Sequence, residues 1–109
     1  MRAFGRPTPE ISVDELDDEL KATGVMLVDV REDWEYRRGR VPGAVPIPLG
    51  QFAQRAGELP TDRRILVICE HGNRSLAAAE YLIRIGYPDA ASVAGGTAAW
   101  IRSGRAVER

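Results

Sequence analysis

The sequence predicts a small three-layer α/β domain with a mainly parallel central sheet flanked by helices. Three observations predict it. Short apolar runs rich in β-branched residues, "VMLVDV" at 25–30 and "RILVIC" at 64–69, read as strands buried on both faces. Segments with helical spacing alternate with these runs, as strand–helix–strand units require. At 109 residues, 44% hydrophobic and 28% charged, the chain can fill one core and is too apolar for disorder.

Taken in order, residues 1–10 carry Gly5, Pro7 and Pro9 with little periodicity and read as an N-terminal arm; the folded domain is expected over 11–109. Ser12 followed by Glu15 is a capping box, and Ile11 with Leu16 fits a hydrophobic staple, so a helix should run from Val13 to Ala22 and end before Gly24. The strand at 25–30 follows. Asp33 to Arg38 suits a short helix stopped by Gly39. "VPGAVPIPLG", 41–50, holds three prolines, which leave room only for an edge pairing near Val45 to Ile47. Leu49 to Ala56 reads as another short helix, and 64–69 as the clearest strand. Ser75 to Ile85 places Leu76, Ala79, Leu82 and Ile83 at helical spacing, with Gly86 and Pro88 as the stop. "ASVAGG", 91–96, gives a brief strand, and 97–104 a last helix with Trp100 facing inward.

Composition excludes several functions. Fifteen basic residues oppose 16 acidic ones, so the chain has no field that would draw nucleic acid, and "RRGR" at 37–40 reads as a solvated turn. A single cysteine rules out an internal disulfide, and with a single histidine it offers too few ligands for a metal site. The opening residues lack the apolar core of a secretory signal, and no run approaches the roughly 18 apolar residues of a spanning helix. A cytoplasmic protein with a reduced thiol and no membrane partner is the expectation.

Functional groups in parallel sheets gather beyond the carboxyl ends of the strands. Asp29 to Arg31 and Cys69 to Arg74 both fall there. In "CEHGNRS", Gly72 can adopt positive φ and Asn73 tolerates it, so the backbone N–H groups from Glu70 to Ser75 can curl inward into an anion-binding nest. The loop enters a helix N-terminus, whose free N–H groups favour a thiolate. Arg74 adds positive charge and Glu70 opposes it. Cys69 is therefore either a packed strand residue or an activated nucleophile. Cysteine phosphatases place five residues between cysteine and arginine; here Cys69 and Arg74 are separated by four, a tighter ring that suits a terminal sulfur better than a phosphoryl group. His71 reads as an exposed loop residue, since a thiolate formed by its surroundings needs no base.

These motifs resemble those of the single-domain rhodaneses, sulfurtransferases that carry a persulfide on one cysteine. "LVDVRE" at 27–32 is similar to the family's strand-end Asp-x-Arg element. "EYRRGRVPGAVPIP" at 35–48 is similar to its Glu-x-x-x-Gly-His-Ile-Pro-Gly-Ala segment, "CEHGNRS" to its active-site loop, and "GGTAAWIRSGRAVE" at 95–108 to its closing helix. Arg40 departs from the pattern, which has histidine there, and brings a charge that can face a pocket or an acceptor.

The resemblance implies a rhodanese-like domain in which Cys69 takes sulfur from thiosulfate or a persulfide and passes it to a small thiol, cyanide or a protein thiol. Glu70, His71, Gly72, Asn73, Arg74 and Ser75 form the active-site loop and anion cradle. Asp29 and Arg31 support it, Arg31 through Glu35, and Trp34 and Trp100 serve as core or pocket wall. No cofactor is implied. Arg74 either binds the donor anion or shapes the loop. A non-catalytic protein-binding module is the alternative, and a phosphatase or arsenate reductase a third reading that the short loop and missing second cysteine disfavour.

Overall fold

The computed structural model describes residues 7–22 and 24–109. Five strands form one parallel sheet: β1 (Glu10–Ile11), β2 (Val25–Asp29), β3 (Val45–Pro46), β4 (Arg64–Ile68) and β5 (Ala91–Val93), in the order β1-β5-β4-β2-β3. Five helices accompany it: α1 (Val13–Leu20), α2 (Asp33–Arg38), α3 (Leu49–Arg55), α4 (Asn73–Arg84) and α5 (Gly96–Arg102), with a 3-10 turn at Ala56–Glu58 after α3. Sheet and helices make the three layers that the alternation of apolar runs and helical segments requires.

The period-two alternation of strand side chains divides the core. Val28, Val30, Ile65 and Val67 point to the face covered by α3 and α4, where they meet Phe52, Ala79 and Leu82. Leu27, Leu66, Ile68 and Val93 point to the other face and meet Leu16 of α1 and Trp100 of α5. Each such buried Leu, Ile or Val side chain contributes about 1.5–3 kcal/mol. The widest pairing joins β2 to β4 in register from Val25 opposite Arg64 to Asp29 opposite Ile68. Beyond it, β2 leads through α2 to β3 on one side and β4 leads through α4 to β5 on the other. A crevice opens where two neighbouring strands diverge in this way.

Local chemistry sets the helix starts. The Ser12 hydroxyl accepts from the Glu15 amide at 3.0 Å while the Glu15 carboxylate accepts from the Ser12 amide at 2.9 Å, the reciprocal capping box. Helix α1 ends at Leu20 rather than Ala22, because Lys21 and Ala22 are exposed and no apolar contact holds a further turn. Sheet pairing begins earlier than Ile11: Glu10 pairs with Ser92, Thr8 is buried, and the Pro9 carbonyl accepts from the Ser92 amide at 3.0 Å. Of the arm expected over 1–10, residues 1–6 lie outside the described residues. Among the described residues no helix is long and apolar enough to cross a membrane.

Candidate active site

The alternation that buries Ile65 and Val67 under α4 carries Cys69 to the same face, one residue beyond β4, and leaves it 1% exposed. The chain then turns and enters α4 at Asn73. Gly72 caps that helix with φ at 103°, and a Cβ there would sit 3.3 Å from the Gly95 amide nitrogen. Only glycine takes this conformation at no steric cost, and it aims the Gly72 amide at the Cys69 sulfur, 3.1 Å from Sγ. The Ser75 amide and the Ser75 hydroxyl each lie 3.4 Å from the same sulfur. Asn73, expected to help the turn, is instead the first residue of α4, so Gly72 alone provides the reversal.

The opposite side of the loop is fastened by α5. The Thr97 amide donates to the Cys69 carbonyl at 2.9 Å and the Ala98 amide to the Glu70 carbonyl at 3.0 Å. In a trans peptide C=O and N–H point in opposite directions, so holding these two carbonyls outward turns the following amides, those of Glu70 and His71, toward the hollow of the loop. Burial raises the Cys69 pKa, but the Ser75 hydroxyl and the amides of Ser75, Gly72 and His71 outweigh it and bring the thiol below its ordinary value. Donors of this kind stabilise a thiolate.

The charged residues pair differently from the expectation. Arg31 was expected to meet Glu35, but it precedes α2 and its side chain runs back along the strand end. It bonds the Asp29 carboxylate through Nε and Nη2, the closest contact at 2.8 Å, and meets Glu70 at 3.1 Å and the Gly39 carbonyl at 2.9 Å. Burial disfavours its charge, yet the bonds to Asp29 and Glu70 raise its pKa overall. Glu70, whose charge opposes the thiolate, is thereby offset. Glu35 accepts a fork from Arg74 at 2.7 and 2.9 Å; this pair holds the Glu35 carboxyl down to about 2 and raises the Arg74 guanidinium.

His71 and Asn73 are exposed, and Ser75 is fully buried beside the sulfur. Gly72 and Ser75 thus meet the Cys69 sulfur directly, Asp29 and Arg31 join the loop through Glu70, and Arg74 is held by Glu35. Arg40 is not among the residues that line the cleft: its guanidinium lies 4.5 Å over the Tyr36 ring and 3.4 Å from the Glu108 carboxylate. Trp100 belongs to the core, whereas Trp34 is 60% exposed. Trp34, Arg38, Glu70, Ile101 and Arg109 line a cleft of about 340 Å³ next to the loop. Among the described residues, no group of three or more His, Cys, Asp or Glu side chains gathers as metal ligands.

Three parts of this arrangement were missed in the sequence. Glu35 as the partner of Arg74 lies 39 residues away. Ser92 sits inside a short apolar strand. The Gly95-Gly96 doublet was a visible signal, and its role is now explicit: a Cβ on Gly96 would lie 2.5 Å from the Cys69 carbonyl oxygen and 2.6 Å from that of Glu70.

Known proteins share the fold and the sequence. A "Sulfurtransferase" of Allochromatium vinosum is 36% identical over 96 residues, covering 87% of this chain and 90% of its own length. A "Thiosulfate sulfurtransferase GlpE" of Shewanella oneidensis is 34% identical over 90 residues, covering 83% and 89%. The crystal structure of a rhodanese-related protein from Thermoplasma volcanium superposes with a TM-score of 0.85 at 33% identity, covering 92% of this chain and 97% of that one. The family model described as the Rhodanese-like domain matches residues 12–103, from the capping box of α1 to the end of α5. The single loop cysteine, the parallel sheet and the sulfurtransferase relatives agree with that match, and the chain belongs to the rhodanese-like domain family.

Proposed function

We propose that the chain is a sulfurtransferase that moves a sulfane sulfur through a Cys69 persulfide. The observation that carries this reading is the convergence of the Gly72 amide and the Ser75 amide and hydroxyl on one buried sulfur. The Cys69 thiolate attacks the outer sulfur of a donor. The donor S–S bond breaks, its electron pair leaves on sulfite from thiosulfate or on a thiolate from an organic persulfide, and Cys69 holds the sulfur as a persulfide anion. An acceptor thiolate or cyanide then attacks that outer sulfur, and the electron pair of the broken bond returns to Cys69. No electrons are gained or lost overall. The chain has no second cysteine to intercept the persulfide as a disulfide, so the acceptor is external.

A low-molecular-weight or protein persulfide fits as the donor better than thiosulfate. Among the described residues Arg38 and Arg109 meet no carboxylate, and with the exposed Trp34 they border a cleft large enough for an organic group. An unpaired thiol of this kind suits a reducing compartment, the cytoplasm. A protein-binding module without turnover is the second reading, favoured by the 1% exposure of Cys69.

Intact-protein mass spectrometry separates the two. The reduced protein is exposed briefly to thiosulfate and, separately, to glutathione persulfide, with Cys69→Ser alongside. A gain of one sulfur atom, absent in the variant and discharged by added thiol, is the expected result. No gain in a folded sample with either donor overturns sulfur transfer and leaves the binding module.

A further inference from the structure

A line of polar contacts leads from the Cys69 sulfur into the protein. Sγ lies 3.4 Å from the Ser75 hydroxyl, that hydroxyl lies 2.8 Å from the hydroxyl of Ser92, and the Ser92 oxygen lies 3.5 Å from the Gly72 carbonyl oxygen. Ser75 and Ser92 are both fully buried. Ser92 occupies the middle of β5, in register with Val67 and on the apolar face that Ala78, Ala79 and Leu82 cover. A hydroxyl there is costly unless it is satisfied, and alanine would suit the packing. Among the described residues, Ser92 meets the one hydroxyl that touches the Cys69 sulfur.

Each hydroxyl has one proton to give. While Cys69 is a thiol, S–H can donate to Ser75, Ser75 to Ser92, and Ser92 to the Gly72 carbonyl. Once the sulfur is an anion it can only accept, so Ser75 must donate to it, and the Ser75 oxygen is then free to accept from Ser92. Both hydroxyls rotate between these two arrangements while the thiol proton itself leaves to bulk water. We infer that Ser92 is a positioning residue for the nucleophile, acting through Ser75 by a reversal of the buried hydroxyl pair that accompanies ionisation of Cys69.

In the second arrangement the two O–H groups point the same way along the line, so each polarises the next and the bond to sulfur is strengthened. The charged and titratable groups around the sulfur are Arg74 of α4, Glu70 and His71 of the loop, the Asp29–Arg31 pair beyond β2, and Glu35 of α2. Among the described residues, the side-chain bonds of Arg31, Arg74, Glu35 and Glu70 join these groups to one another, away from both serine hydroxyls. Strand β5 contributes no titratable side chain of its own, Glu10 beside it on β1 is exposed, and the only charged residue of α5, Arg102, is exposed.

The inference rests on Cys69 being the nucleophile, but it is tested on the thiol itself, without any sulfur donor. Ionisation of Cys69 is followed by the ultraviolet absorbance of the thiolate and by the pH dependence of alkylation with iodoacetamide. Ser92→Ala is expected to raise the midpoint by roughly half a pH unit to one unit, and so to slow alkylation roughly 3- to 10-fold at any fixed pH below the wild-type midpoint. In the Ser75→Ala background the further change Ser92→Ala is expected to move nothing, because its route to the sulfur is gone. Ser92→Thr and Ser92→Val have nearly the same shape and differ in the hydroxyl. Threonine is expected to keep the midpoint close to wild type and valine to raise it.

An unchanged midpoint in Ser92→Ala, equal shifts in the threonine and valine variants, or additive shifts in the double alanine variant would overturn the inference. If the larger residues do not fold, the alanine cycle decides alone. Failure here leaves the mass-spectrometric test of sulfur loading unaffected, and failure of sulfur loading leaves this titration readable.

Discussion

The Cys69 carbonyl oxygen stands 2.5 Å from where a Cβ on Gly96 would be, and it accepts the amide of Thr97, the next residue. The Cys69 peptide is therefore clamped by the first turn of α5. Gly96 has φ at 60°, which an L side chain adopts only at a cost, and the added methyl would push two carbonyls out of line. Gly96→Ala is expected to destabilise the protein by about 2–4 kcal/mol in urea denaturation and to lower sulfur loading of whatever folds.

The Glu35–Arg74 fork has a pH signature. The Glu35 carboxyl is held at about 2, below its unfolded value. Stability from this pair is then fully present above the unfolded pKa of about 4.3 and is lost as pH falls toward the folded value. Arg74 is 36% exposed, so solvent screening reduces the gain to about 1–2 kcal/mol. Comparing unfolding free energies of wild type and Glu35→Gln at neutral pH and in mild acid should show a gap that closes in acid.

Removing Asp29 leaves the buried Arg31 cation with the part-exposed Glu70 as its remaining carboxylate. Arg31 is 3% exposed, and Asp29 is its principal partner at 2.8 Å. Asp29→Ala is expected to cost about 3–5 kcal/mol, measured by thermal or chemical unfolding. Loss of this magnitude would separate the Asp29–Arg31 pair from the surface pairs, such as Lys21 with Asp18, whose removal should move stability by less than about 1 kcal/mol.

His71 offers its main chain rather than its ring. Its amide is among the groups that lower the Cys69 pKa, while its side chain is exposed. His71→Ala is expected to retain kcat/KM within about threefold; loss of the hundredfold or more typical of a missing general base would reassign the imidazole.

Arg38 is expected to distinguish the donors. It lies 5.8 Å from the Trp34 ring at the rim of the cleft. Arg38→Ala is expected to raise KM for glutathione persulfide roughly 3- to 10-fold, the scale of one ordinary hydrogen bond at an exposed rim, with little change for thiosulfate. A clear preference of the wild-type enzyme for thiosulfate in kcat/KM would refute the organic persulfide as donor.

The central elements were legible because their causes are local. Ser12 with Glu15 announces the start of α1, and the apolar runs at 25–30 and 64–69 have no alternative to burial. The loop was legible through Gly72, whose positive φ is its reason for being there. What escaped was set by distance along the chain. The two residues of β1 form a strand only because Ser92 and Val93 lie alongside, and nothing in Glu10 and Ile11 themselves requires it. Helix α4 begins at Asn73 rather than Ser75 because Gly72 can cap it without a side-chain bond. The exchange of partners among Arg31, Glu35, Glu70 and Arg74 turns on which acidic group the fold brings to each guanidinium, 39 residues away along the chain in both the Arg31–Glu70 and the Glu35–Arg74 pair.

The outer strands of the sheet have a consequence for how these molecules behave in company. Strands β1 and β3 pair over two residues each, and Pro46 removes one of the amides β3 would otherwise present. A neighbouring chain seeking to extend the sheet finds almost no free backbone to grip on either margin. The long apolar strands that would template such growth, β2 and β4, lie inside. Among the described residues, both borders of the sheet thus offer little backbone for edge-to-edge pairing.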